Sequence, residues 1–239
     1  MADRKITITE AELDVKIRKT YIRAINFDGS HPNTAVALGY ALASHGSELR
    51  ETGEPYIIHP LTMACRALAI YLNEDELIAA ILLHDVAEDN NKAITELPVN
   101  DIVRRAVEYL TIRPRRNESK LETKRRYFDI LGSSITDPEL HGIPLLVKGL
   151  DRFDNLRTMG KLKSSPERLR KNLYETQYFL LPLLHKGKSL LPQYSNQFQE
   201  ITETLTALVD SQADLLGIVF SDEIPSDDEL AKILDSKKS

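Results

Sequence analysis

Cysteine is almost absent: Cys65 is the only one in 239 residues. No internal disulfide can form, and the opening MADRKITIT lacks the apolar stretch of a secretory signal, so the expected compartment is reducing and cytoplasmic. Long hydrophobic runs are missing too. The longest, Leu77–Leu83, is stopped by His84, far short of the roughly 20 residues a membrane helix needs, and a membrane is excluded as a partner. Positive charge is not in excess, since 31 Lys and Arg against 36 Asp and Glu give a net charge of −5. With no global drive toward a phosphate backbone, a nucleic-acid polymer is excluded as well. Glycine and proline are scarce, 10 and 11 residues, about 9% together where about 12% is usual, and strand-like alternation is rare. The expectation is an all-α fold, with enough chain to bury one full core.

Helix starts can be read where Ser, Thr or Asn is followed three residues later by Glu, because the two side chains satisfy two orphan N–H groups at once. Thr9 with Glu12, Asn73 with Glu76 and Ser226 with Glu229 fit that pattern. Ser165-Pro166-Glu167 opens a further helix expected to run to about Leu181, with proline at a first position that needs no N–H. Thr34 to Gly46 reads as a helix closed by glycine, and Leu61 to Leu72 as one that follows the turn at His59-Pro60. Ile201, Leu205, Leu208, Leu215 and Leu216 mark an apolar stripe late in the chain. Pro182 and Pro192 are expected to kink or interrupt their helices. The reading divides the chain into one domain over residues 1–220 and a polar, weakly attached tail over 221–239 that holds a short helix.

The chemistry concentrates in two places. His84-Asp85 ends the apolar helix Leu77–Leu83, and Glu88-Asp89 follows; His84 and Glu88 are four apart, as are Asp85 and Asp89, so each pair shares a face if the turn continues. Upstream, His59 is held on a corner that Pro60 makes rigid. Downstream, Lys148, Asp151, Arg152, Asp154, Asn155 and Arg157 emerge from the apolar Leu145-Leu146-Val147 and Leu150. Two imidazoles and two carboxylates from separate helices suit a divalent metal of intermediate hardness, manganese more comfortably than zinc as oxygen ligands accumulate. A zinc finger is excluded for lack of cysteine. The basic runs around Arg113 and Lys124 read mainly as solvated surface.

His59, His84-Asp85 and a distant Asp151 together are similar to the H…HD…D signature of the HD-domain metal phosphohydrolases. The flanks narrow the resemblance. RETGEPYIIHPL from Arg50 to Leu61 resembles the R-x-S-G-E-P-Y-I-x-H-P-L segment of the RelA/SpoT homologue family, which degrades the alarmone (p)ppGpp. IAAILLHDVAEDN from Ile78 to Asn90 resembles its A-A-L-L-H-D-V-V-E-D-T, and KGLDRFDNLRT from Lys148 to Thr158 its K-L-A-D-R-L-H-N-M-R-T. The three segments occur in family order within residues 34 to about 185.

The resemblance implies an HD-domain helical bundle that uses Mn²⁺ to remove a 3′-pyrophosphate from a small nucleotide. His59, His84, Asp85 and Asp151 match its metal ligands, Glu88 and Asp89 the acidic pair that activates water, and Arg50, Asn155 and Thr158 its substrate pocket. Two positions depart. Glu51 stands where a basic residue is usual, beside the place expected to face the base, which opens adenosine alarmones as substrates. Asp154 stands where histidine is usual. The implied member is a small, hydrolase-only one, since about 55 residues after position 185 leave too little room for a synthetase domain. Two other readings stay open: a generic HD nucleotide phosphohydrolase acting on a 5′-phosphate, and a non-catalytic nucleotide-binding module. The oligomeric state is not legible.

Overall fold

The computed structural model describes residues 9–46, 48–51, 53–89, 93–159, 166–221 and 223–235, with only the main chain given for Glu88 and Asp89. Among these residues the elements are helical, and one isolated antiparallel bridge joins Leu49 to Pro55. No described helix is long and apolar enough to cross a membrane.

The centre is α4 (Asp75–Leu83), whose seven residues Leu77–Leu83 are at most 1% exposed. A helix that is apolar all round must be wrapped on every side. The wrapping comes from α2 (Pro32–His45), α3 (Ile58–Ala69), α6 (Asp101–Leu110) and α8 (Ile143–Met159). Because α4 runs through the core, its C-terminal end delivers His84 to the interior and Asp85, half-buried, to the wall of a cavity. The α4 N-terminus is not closed as the sequence pattern suggests. Its N-cap is Glu74, without a side-chain bond, and Asn73 accepts from His31 Nε2 through its main-chain oxygen. Asp75 instead caps a different helix: its carboxylate accepts from the main-chain N–H groups of Asn33 and Thr34 at 2.9 and 2.7 Å, at the start of α2. Local pattern yields here to a tertiary contact.

The expected capping box of Thr9 and Glu12 opens α1 (Glu10–Ala24), which packs on α3. A second box, Ser119 with Glu122, opens α7 (Lys120–Ser133) by the same local pattern. The helix after His59-Pro60 begins at Ile58, not Leu61, which places His59 inside the first turn instead of on a corner before it. Proline fits that turn because its missing N–H has no intrahelical partner to lose.

The second half is a rod packed against α8. Helix α9 (Pro166–Glu175) passes through a π-turn, Thr176–Leu180, into α10 (Leu181–Leu190), so it does not end near Leu181. Pro182 lacks the N–H that an α-helix would use, and the wider turn just ahead of it lets the rod continue. Pro192 behaves as expected and follows the end of α10 in a short 3₁₀ turn. The stripe that begins at Ile201 lies on α11 (Ser195–Leu216), which packs on α8 and α10. Close approach requires glycine on α10, where a Cβ at Gly187 would lie 2.7 Å from the Phe198 ring.

Helix α12 (Asp227–Asp235) corrects the expectation of a weakly attached tail. Ser226 and Glu229 are bonded as the pattern suggests, but Leu230 and Leu234, 1% and 4% exposed, are buried with Leu121 of α7. Two leucines four apart on a short polar helix are enough to dock it.

Candidate active site

Three helices converge on one point. His59 comes from the first turn of α3, His84 from the turn between α4 and α5 (Val86–Asp89), and Asp151 from α8. One donor atom from each lies within 4.8 Å of the others, and all three side chains are buried. His84 Nδ1 donates to the Ile81 carbonyl at 2.8 Å, so neutral His84 keeps its lone pair at Nε2, an atom that is buried without a hydrogen-bond partner. His59 Nδ1 donates to Asp154 Oδ2 at 2.7 Å, and His59 Nε2 faces Asp151 Oδ1 at 3.3 Å. Asp85 adds an oxygen 3.0 Å from His84 Nε2 and 3.7 Å from His59 Nε2, and Tyr56 Oη holds that oxygen at 2.6 Å. An orphaned buried nitrogen facing carboxylate oxygens is the environment a divalent cation would complete, and the N/O donor set suits a metal of intermediate hardness.

Burial disfavours every charge in this cluster, and mutual attraction overrides it. Hydrogen bonds to Asp151 and Asp154 raise the pKa of His59, and Asp85 and Asp151 raise that of His84 strongly. On the acidic side, His84 draws Asp85, Lys148 draws Asp151 and His59 draws Asp154 far below the usual carboxylate range. Lys148 Nζ donates to Asp151 Oδ2 at 2.6 Å, and Asn155 Nδ2 to Asp151 Oδ1. The spacing explains the convergence: residues 148, 151, 155 and 158 fall on one face of α8 at three- and four-residue steps.

Two cavities flank the triad and share Tyr56, Asn155 and Arg168. One, about 340 Å³, is lined by Arg50, Glu51, His59 and Thr158 among others. Arg50 is fixed there by Asp154 at 3.0 Å and Thr158 at 3.2 Å, and Glu51 is bonded to Arg168. The other, about 360 Å³, opens on Asp85 and Asp151. Its walls carry Lys124, Lys148, Arg152, Arg168 and Lys171 against Asp85, Asp151 and Glu175, five cations to three carboxylates, which favours a polyanionic occupant. A larger cavity of about 630 Å³ between α6 and α7 has no histidine in its lining, so chemistry and not volume marks the site.

The family model described as HD domain matches residues 37–181, more than half of the chain. The chain belongs to the HD-domain family. Its similarity extends to guanosine-3′,5′-bis(diphosphate) 3′-pyrophosphohydrolase of Aquifex aeolicus, 32% identical over 152 residues that cover 63% of this chain and 21% of that protein. The bifunctional (p)ppGpp synthase/hydrolase SpoT of Escherichia coli is 28% identical over 201 residues, covering 75% and 27%. A probable enzyme of the Aquifex type in Synechocystis is 33% identical over 158 residues, covering 63% and 19%. The chain thus spans between about a fifth and a quarter of the length of these curated relatives. The RelA/SpoT resemblance read from the three segments is borne out by these similarities.

An HD domain implies a divalent metal, and His59, His84 and Asp151 form the compact donor set for one. Asp85, Arg50, Glu51, Asn155 and Thr158 all lie at the site or line its first cavity. The side chains of Glu88 and Asp89 lie outside the described residues; their main chain continues from the HD turn as α5. Sequence reading missed Tyr56, Arg168 and Lys171, and it took Lys124 mainly for surface. Lys124 instead lines the second cavity while paired with Glu175 at 3.1 Å. Arg168, Lys171, Asn172 and Glu175 sit on one face of α9 at three- and four-residue steps, a signal that periodicity could have revealed.

Proposed function

We propose that this HD domain is a metal-dependent hydrolase that removes the 3′-pyrophosphate of guanosine alarmones, (p)ppGpp, to give GDP or GTP and pyrophosphate. The observation that carries this reading is the His–His–Asp set placed between an arginine-walled cleft and a basic cavity, a layout that fits a nucleoside on one side and a polyphosphate on the other. The names of the relatives support it at the level of the reaction. Small-molecule nucleotide is therefore the proposed partner, and Mn²⁺ the proposed cofactor, because mixed imidazole and carboxylate donors suit it better than Mg²⁺, which keeps a largely hydrated oxygen shell.

A cation bound by His59, His84, Asp151 and Asp85 would act as a Lewis acid and lower the pKa of a bound water. The chain's own residues do the rest. Arg50 presents a planar guanidinium to a purine without distinguishing its edges. Asn155, which both cavities share, and Thr158 of the first would border the sugar, and Lys148, Arg152 and Lys171 of the second would offset phosphate charge. Glu88 and Asp89 follow the HD turn and are the proposed proton acceptors from water. Water adds to the phosphorus bonded to O3′, the P–O3′ bond breaks, pyrophosphate leaves intact, and O3′ takes a proton. No protein nucleophile is needed.

Incubation of the Mn²⁺-loaded protein with guanosine and adenosine 3′-pyrophosphorylated nucleotides, with products resolved by anion exchange, tests the reading. The expected products are the 5′-phosphorylated nucleoside and pyrophosphate, with turnover lost on chelation. Release of a 5′-phosphate would replace the reading with a generic HD phosphohydrolase, and binding without turnover would replace it with a nucleotide-binding module.

A further inference from the structure

Asp154 is not one of the three clustered donors, yet it is 2% exposed and its carboxylate is fully engaged. Oδ2 accepts from His59 Nδ1 at 2.7 Å and from Arg50 Nη1 at 3.0 Å; Oδ1 accepts from Arg157 Nη2 at 2.7 Å. The second nitrogen of Arg50 donates to Thr158 Oγ1 at 3.2 Å, and that hydroxyl donates to the Asp154 carbonyl at 2.9 Å. A single oxygen thus accepts hydrogen bonds from an imidazole that faces the triad and from a guanidinium that walls the first cavity.

The two histidines are anchored differently. His84 is oriented by a main-chain carbonyl, whereas His59 depends on a side chain that it shares with Arg50. A neutral imidazole carries one N–H, and committing it at Nδ1 leaves the lone pair at Nε2, the atom 3.3 Å from Asp151. A carboxylate behind a metal-facing histidine fixes its tautomer and ring orientation.

We propose that Asp154 is a positioning residue that joins the metal centre to the substrate cleft, holding His59 with Nε2 toward the cation and Arg50 against the nucleoside wall through one shared oxygen. The proposal rests on the metal-dependent reading above. Filling either site then favours the geometry the other requires, and such coupling is reciprocal.

The test is titration of the full chain with Mn²⁺ alone, followed by electron paramagnetic resonance, and with guanosine 5′-diphosphate by calorimetry. Asp154→Asn is expected to weaken Mn²⁺ binding about 10- to 100-fold and to weaken the nucleotide as well. Thr158→Val, which touches Arg50 but not His59, is expected to weaken only the nucleotide. Mn²⁺ affinity of Asp154→Asn within twofold of the parent overturns the proposal, as does an unchanged nucleotide affinity. If Asp154→Asn does not fold, ¹⁵N NMR of the histidine rings in the parent protein decides: Nδ1–H at neutral His59 is expected, and Nε2–H overturns it. A parent that binds Mn²⁺ but hydrolyses neither alarmone fails the functional reading while leaving the metal titration decisive for Asp154.

Discussion

At position 51, on the proposed function, a single carboxylate changes what the cleft beside Arg50 would offer a base. Glu51 is tied to Arg168 of α9, and both line the cleft, so the cationic character expected from the residue beside Arg50 arrives from a different helix. Glu51→Lys would repel Arg168 and return the positive charge to the loop. An exposed ion pair of this kind contributes only about 0–1 kcal/mol to stability, so the melting temperature should move little. Selectivity should move more: a mispaired polar group at a base is worth about 1–3 kcal/mol, and the ratio of kcat/KM for guanosine over adenosine substrates is expected to rise roughly 5- to 150-fold. Equal ratios in the two proteins would show that residue 51 does not read the base. The sequence made Arg50, His59, His84, Asp85 and Asp151 legible because each stands in a local pattern with a chemical meaning. It left the partners of Asp154 illegible, since its bond to His59 joins residues 95 apart and no local pattern encodes such a pairing.

Helix boundaries were legible wherever a side chain closes its own helix, as at Thr9 and Ser226, and illegible where another helix does so, as Asp75 does for α2. The wider turn at Thr176–Leu180 was hidden for a related reason: proline signals an interruption, and only the packing of α10 on α8 and α11 makes a continuous rod the better outcome. Glycines on two helices give a paired test of that packing. Gly187→Ala sets a methyl 2.7 Å from the ring of Phe198, itself fully buried, and overpacking of about 1–3 kcal/mol outweighs or cancels the ~1 kcal/mol gain in helix propensity. Gly39→Ala on α2 meets no atom within 4 Å and should stabilise by about 0.5–1 kcal/mol. Thermal denaturation is expected to rank Gly39→Ala above the parent and Gly187→Ala below it. The reverse order would show that α10 and α11 are not in close contact.

For the molecule as a whole, protons and metal compete for the same buried atoms. Raised pKa values at His59 and His84 mean that their charged forms stabilise the metal-free fold below about pH 6.5, the value for an unfolded histidine, and that this contribution is lost as pH rises through the folded values. The depressed carboxylates act in the opposite sense, stabilising above about pH 4 and ceasing to do so as pH falls through their folded values. Metal ligation requires neutral imidazoles, so the rise in melting temperature produced by Mn²⁺ is expected to be larger at pH 8.5 than at pH 6. A gain that does not change with pH would mean that neither histidine binds the ion. The all-α architecture was legible from composition and the docking of α12 was not, because two leucines in a polar tail carry little weight until Leu121 is seen beneath them. The distance in sequence between α3 and α8 has a kinetic consequence. Loop-closure entropy makes contacts of such long range costlier to form than local ones, and His59 meets Asp151 only once α3 and α8 have docked. Metal uptake would then report the completion of folding, and each tenfold excess of Mn²⁺ over its dissociation constant would add about 1.4 kcal/mol to the finished state alone.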